Sequence, residues 1–456
     1  MVSNPKSKIQ PAIYTLSLLE AAYAIRNGTL SSEEVTCALL KRIQAYENRV
    51  QAFQWIDFDR ALGLSRHADE IQKSGAPLSS LHGIGVGIKD IIETRNIPTT
   101  MGSAVHEGFV PERSAAVVLS LESAGAFVLG KTVTSEFAFF TPGKTRNPWN
   151  PDHTPGGSSS GSAAAVAMGF VSAAIGTQTN GSVIRPAAFC GVVGYKPTAG
   201  LIPLEGIHPF SPSLDQVGVF ARSVPDVALL AAVLRSKDSV SAESSNPVMP
   251  SDPKPVLYPP RIAAVRSPVW LRAEEYARKH FMSVVERLGE AGAEVEEVEL
   301  PEPFSDAHAI HRVIMYAEGA KTFATLQKDN RSLISGRLNG LIDEGLLIEK
   351  DDLEKALARK ENLSVEMDDF MEKFDAVITL PATGEAAQDL TQTGDPVFCT
   401  IWSLCGVPAV TIPAGEGPKR LPLGLQITGK RYADDKLLSV AEWCDKVIGW
   451  TRRIAG

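Results

Sequence analysis

The sequence is short of the features that mark several whole classes of protein. Basic charge is not in excess: the 456-residue chain carries a formal net charge of −8. That argues against a nucleic-acid-binding surface and against a basic membrane face. Cysteine is scarce and shows no pairing pattern. The five cysteines, Cys37, Cys190, Cys399, Cys405 and Cys444, are odd in number and widely spaced. No CxxC and no Cys/His pair at metal spacing occurs, so reduced core thiols in a reducing compartment are expected, with no metal site and no cofactor. The N-terminal stretch MVSNPKSKIQPAIYTLSLLE lacks a basic-then-apolar signal pattern. The longest apolar run, about Ser162 to Ile175, is too short and too rich in small residues to span a bilayer. A soluble cytoplasmic protein is the expectation. Repeats are absent, and the one biased tract is a Ser/Pro-rich linker near 236–260, expected to be flexible.

What is present is a large apolar fraction, 44% against 21% charged, ample for a sizeable α/β core. The chain is organised around Gly156 to Pro186, GGSSSGSAAAVAMGFVSAAIGTQTNGSVIRP. A Gly/Ser loop admits backbone conformations that other residues resist. A small-residue helix is expected from about Ser162 to Met168, and a second small-residue loop from Gly176 to Ser182. Ser158 and Ser182 therefore flank one buried helix. A flexible linker is the bland alternative, but linkers do not usually run directly into an apolar stretch such as AAAVAMGFVSAAI.

Upstream, Leu81 to Asp90 reads as a β-prone, Gly-spaced segment that delivers Lys89 at its end. A helix and a strand are expected over 114–132, and GAFVLGKT from Gly125 to Thr132 matches the phosphate-loop pattern literally. The context disagrees, because a phosphate loop needs its strand before the first glycine, whereas here the apolar AFVL is itself the strand. A nucleotide-binding ATPase built on this segment is the alternative from another class. The aromatics Phe137, Phe139 and Phe140, with Trp149 and Trp402, suggest core or an apolar substrate pocket. Capping signals predict helices about Leu16 to Arg26 and after Ser31-x-x-Glu34. Further along, a turn into a buried strand is expected after Ser182, a helix over Val224 to Leu234, and a strand–helix–strand unit over 261–300. Strands Ala409 to Pro413 and Leu423 to Thr428 are expected to pair, before a last helix from Asp434 to Ile448.

These motifs, GIKD, GKTVTSEFA, KTRNPWNP with TPGGSS, the serine stretch, and TGDPVF with IWSLCGVPAVTIPAG and LPLGLQITG, resemble the amidase signature family in order and over nearly the whole chain. The resemblance implies one domain over 1–456, a large mixed, mostly parallel β-sheet wrapped by helices. It implies a Ser–cis-Ser–Lys triad, with Ser182 as the acyl-accepting nucleophile, Ser158 as the bridging serine with the cis peptide, and Lys89 as the base. Backbone N–H groups of Thr179, Asn180, Gly181 and Ser182 match the oxyanion hole. Phe137, Phe140 and Gln178 are candidates for contacting substrate. Two positions depart from the pattern. Gln178 stands where the pattern has aspartate, and Arg185 falls one residue later than the arginine that helps some members bind acidic substrates, a place taken here by Ile184; the change argues against a carboxylate-bearing substrate and leaves the triad untouched.

An unactivated serine hydroxyl is a poor nucleophile and needs a base in reach. No histidine lies near either serine loop except His153. A lysine serves only when neutral, which burial against Ile84, Val86 and Ile88 favours. The expected function is hydrolysis of a small-molecule amide, or a carbamate or ester, by a monomer or homodimer with no nucleic-acid or membrane partner. Two alternatives remain: the glutaminase component of a tRNA-dependent amidotransferase, which needs a partner protein, and a catalytically dead binding module.

Overall fold

The computed structural model describes residues 12–235, 259–451 and 454–455. The linker expected near 236–260 lies, but for its last two residues, outside the described residues. Among the described residues eleven strands form one sheet: β1 (Phe53–Ile56), β2 (Gly85–Lys89), β3 (Phe127–Thr132), β4 (Ala173–Gln178), β5 (Val193–Lys196), β6 (Gln216–Ala221), β7 (Arg261–Arg266), β8 (Glu294–Glu299), β9 (Ala376–Thr379), β10 (Ala409–Glu416) and β11 (Pro422–Thr428). Their spatial order is β1-β3-β2-β4-β6-β5-β10-β11-β9-β7-β8.

The sheet is mixed, as expected, but it is not mostly parallel. Six of the ten strand pairs are antiparallel and four are parallel. The parallel pairs sit where a helix crosses over. Helix Ala116–Ser123 joins β2 to β3, and helix Glu275–Glu290 joins β7 to β8. In the centre the chain returns without such a crossover, and a short turn joins β10 to β11 as the expected antiparallel hairpin.

Local sequence explains the helix ends. Ser17 with Glu20, and Ser31 with Glu34, form complete capping boxes. Val35, Leu39 and Ile43 of the second helix are buried, while Tyr46 is only half-buried. Helices Val224–Leu234 and Asp434–Ile448 fall where the apolar spacing puts them.

The serine stretch differs in two places from its expected form. Its helix is Ser160–Ala167, buried along its whole length. Gly161 allows this, because a Cβ there would lie 2.3 Å from the Val133 nitrogen and 2.4 Å from the Ala52 oxygen. Gly176, Thr177 and Gln178 then belong to β4 and not to a loop, since they pair with Gly218, Val217 and Gln216 of β6. After Ser182 the chain forms helix Ile184–Cys190 before β5, where a turn straight into a strand was expected. Pro186 is compatible with that helix because it sits in the first turn.

Gly125 to Thr132 is not a phosphate loop. β3 runs through Lys131 and Thr132, and the fully buried Lys131 ammonium faces inward to Asp90 Oδ1 at 3.3 Å. The outermost strand at the far rim, β8, exposes Glu294, Glu296, Glu297 and Glu299. Among the described residues no helix is long and apolar enough to cross a membrane.

Candidate active site

Lys89 is the last residue of β2, the third strand from one edge of the sheet, and has no solvent exposure. Its Nζ lies 2.7 Å from Ser158 Oγ and 2.8 Å from Thr177 Oγ1 on the neighbouring β4. Burial pushes the amine well below the ordinary lysine range, and only the nearby Asp215 charge opposes this. A neutral amine has one lone pair. It can accept the Ser158 hydroxyl proton while donating to Thr177.

The two serines meet although 24 residues separate them: the backbone N–H of Ser158 donates to Ser182 Oγ at 3.1 Å. Gly157, at φ +60°, makes the approach possible, because a Cβ there would come within 2.7 Å of Pro186 Cδ and 3.2 Å of Ser182 Cα. The contact runs through the Ser158 backbone and not through its hydroxyl. Passing a proton from Ser182 to Ser158 needs rotation of a serine χ1, and catalytic hydrogen bonds are often loose before substrate binds. Every peptide bond among the described residues is trans, so the cis bond that the resemblance implies at Ser158 is not found.

The loop from Thr179 to Ser182 is held from several elements. Gln178 Oε1 accepts from the N–H groups of Val183 at 2.8 Å and Ile184 at 3.0 Å, and its Nε2 donates to Ser403 Oγ at 2.9 Å. Ser403 Oγ also donates to the Asn180 carbonyl, and Thr400 Oγ1 donates to Asn180 Oδ1 at 2.9 Å. Gln178 is thus fully committed inside the protein and does not face the cavity as a substrate contact. It fills the place of the pattern's aspartate by satisfying the first N–H groups of helix Ile184–Cys190. The N–H groups of Asn180, Gly181 and Ser182 have no hydrogen-bond partner among the described residues. They are free to meet an oxyanion.

A cavity opens over Ser158 and Ser182. Phe140, Phe210, Met315 and Thr393 are among its walls. Phe140 therefore lies where the sequence suggested, and Phe139 joins it. Phe137 does not. Its backbone turns at φ 46°, and the ring packs into a buried cluster with His106, His208 and Phe323. Trp402 is core, and Trp149 Nε1 is spent on the Cys190 carbonyl.

Three residues that sequence reasoning did not place in the site belong to it. Thr177 orients Lys89. Asp215 accepts the Thr179 hydroxyl at 2.5 Å. Arg185 lines the cavity, buried, with Nε on the Thr393 carbonyl at 2.8 Å and Nη1 without a hydrogen-bond partner among the described residues. Burial pushes this guanidinium down to about 10, and it remains charged at neutral pH. The departure noted at 184–185 was the one signal in the sequence for it.

The Amidase family matches residues 34–438. The A-subunit of the glutamyl-tRNA(Gln) amidotransferase of Anaeromyxobacter sp. (strain K) is 34% identical, over 95% of this chain and 96% of that protein. Its counterpart in Roseiflexus castenholzii (strain DSM 13941 / HLO8) is 33% identical, over 97% and 98%. Among solved structures, native peptide amidase from Stenotrophomonas maltophilia superposes with a TM-score of 0.82 at 29% identity, covering 97% of this chain and 98% of that one.

Proposed function

The chain belongs to the Amidase family, whose members are amidase-signature hydrolases acting on C–N bonds, and from that footing we propose that it hydrolyses a small carboxamide through an acyl-enzyme on Ser182, with Ser158 as relay and Lys89 as base. The observation that carries this is the fully buried Lys89 amine 2.7 Å from the hydroxyl of the residue whose N–H holds Ser182 Oγ.

In the proposed reaction Ser182 Oγ attacks the substrate carbonyl carbon as its proton passes to Ser158 Oγ and that of Ser158 passes to Lys89 Nζ. The oxyanion rests on the N–H groups of the 179–182 loop, each donor worth about 3 kcal/mol in comparable sites. The C–N bond breaks as the relay returns the proton to the leaving nitrogen. An amine leaves poorly unless it is protonated. Water then repeats the sequence on the acyl ester and releases the acid. Arg185, charged and lining the cavity, suits an acyl chain that carries a second acceptor, and a carboxylate fits best.

The test is labelling with phenylmethylsulfonyl fluoride, mapped by mass spectrometry, beside turnover of a panel of half-amides of dicarboxylic acids, glutamine, neutral aryl amides, carbamates and esters. A sulfonyl group on Ser182, and turnover that Ser182→Ala abolishes, are expected. Label elsewhere, or a Ser182→Ala variant that turns over normally, overturns the reading. The amidotransferase relatives favour one second reading, that the amide is glutamine and a partner protein takes the ammonia. Glutamine hydrolysis that appears only when such partners are added would establish it.

A further inference from the structure

The loop that carries Ser182 begins at Thr179, and Thr179 is tied to a carboxylate that the proposed mechanism leaves idle. Thr179 Oγ1 donates to Asp215 Oδ1 at 2.5 Å. Asp215 Oδ2 accepts the N–H groups of Phe210 at 2.7 Å and Ser211 at 3.0 Å. Ser211 Oγ donates in turn to Glu318 Oε2 at 2.6 Å, and Glu318 also receives the Ser213 N–H at 3.0 Å. Glu318 stands on helix Ala307–Asn330, which also supplies Met315 to the cavity wall. One carboxylate thus joins the nucleophile loop to the segment that carries Phe210, which also lines the cavity.

The sheet register places this carboxylate near the base. Gln178 pairs with Gln216, so Asp215, just before β6, stands across from Thr179, just after β4. Thr177, which Lys89 touches, and Thr179, which Asp215 touches, are two residues apart, the side-chain period of a strand. Asp215 and Lys89 interact electrostatically, each favouring the charged form of the other.

We propose that Asp215 is a positioning residue for the acylation step: as an anion it fixes the Thr179 end of the oxyanion loop, and through space it sets how readily Lys89 gives up its proton. This rests on the reading of Ser182 as nucleophile and Lys89 as base. The other titratable groups around Asp215 are His208 on its own segment, and His311 and Glu318 on the long helix; all three are retained in both variants tested. Burial pushes both histidines down to about 4, so they are uncharged across the assay range. Burial raises Asp215 itself to about 6, so it is charged where the enzyme is assayed.

Phenylmethylsulfonyl fluoride needs no knowledge of the substrate. Its labelling rate at Ser182, followed by mass spectrometry of the full chain across about pH 6.5–10, reads both loop geometry and base. Asp215→Asn removes the anion that favours Lys89 ammonium. The midpoint of the rising limb should move about one unit towards acid, and the plateau should fall about tenfold. Thr179→Val removes the tie but keeps the charge. It should lower the plateau and leave the midpoint in place, and it serves if Asp215→Asn does not fold. A uniform loss in Asp215→Asn with no shift in midpoint, or a Thr179→Val variant that labels at the normal rate, overturns the inference. Failure to label Ser182 in the unsubstituted protein overturns instead the reading on which it rests.

Discussion

Replacing Lys131 by methionine should be among the most damaging single changes in this fold, although Lys131 takes no part in the proposed chemistry. Both members of the Lys131–Asp90 pair have no exposed side-chain surface, and Nζ lies 3.3 Å from Oδ1. Lys131 also donates to the Ile92 carbonyl at 2.8 Å and to Thr99 Oγ1 at 2.6 Å, which fastens the chain just beyond Lys89. Asp90 Oδ2 is satisfied by the Thr100 N–H at 2.9 Å and the Thr100 hydroxyl at 2.6 Å, but Oδ1 has no hydrogen-bond donor among the described residues and depends on the ammonium for compensation. Methionine keeps most of the volume and strands that oxygen. Breaking a buried pair from one side costs about 3–5 kcal/mol, a large share of the roughly 5–15 kcal/mol that holds a typical native state. The double variant Lys131→Met/Asp90→Asn removes the stranded charge and should recover most of the loss. Urea unfolding followed by tryptophan fluorescence and circular dichroism measures both. A single variant within about 1 kcal/mol of the parent, or a double variant no better than the single, would refute the reasoning.

Three further outcomes follow from the buried titratable groups. Lys89→Met should cut the rate of Ser182 acylation about 10²–10⁴-fold, the usual worth of a positioned base. In the unsubstituted protein that rate should rise with pH, beginning well below the ordinary lysine range because burial depresses Lys89, and a flat profile would count against it. Stability should pass through a maximum in mild alkali. Lys196 and Lys131 are depressed by burial to about 7 and about 8, so above those values the unfolded chain binds more protons and stability rises with pH. Burial raises the Cys399 and Cys405 thiols to about 12, and Cys190 and Cys444 higher still, whereas unfolded thiols ionise near about 8.5, so stability falls beyond that point. Urea midpoints at about pH 7, 8.5 and 10, under reductant, test the sign, and a steady fall from the first to the second would contradict it.

Much of the site was legible because its chemistry is carried by short local patterns. A Gly-spaced apolar strand ending in lysine put Lys89 at the sheet's interior end, and two glycine-flanked serines around a small-residue helix marked Ser158 and Ser182. The rest depends on which segments meet. Asp215 approaches Thr179 only through the β4–β6 register, and Arg185 reaches the cavity only because residues 184–190 form a helix. Gln178 looked like a site residue from its place in the chain, but its amide folds back onto the next two N–H groups. Phe137 misled for a local reason: a left-handed turn at 137–138 sends its ring away from those of Phe139 and Phe140. The proportion of parallel strands was likewise out of reach, because strand order is a property of pairing and not of any one segment.

The glutamates of β8 have a bearing on how copies of this protein meet. An outermost strand offers unpaired backbone groups to any other extended chain, and natural proteins often guard such rims with charge. Here Arg261 and Arg266 balance Glu294 and Glu297, while Glu296 and Glu299 also project into solvent. Lining up two such rims would set carboxylate against carboxylate. Continuation of the sheet from one molecule into the next is therefore disfavoured.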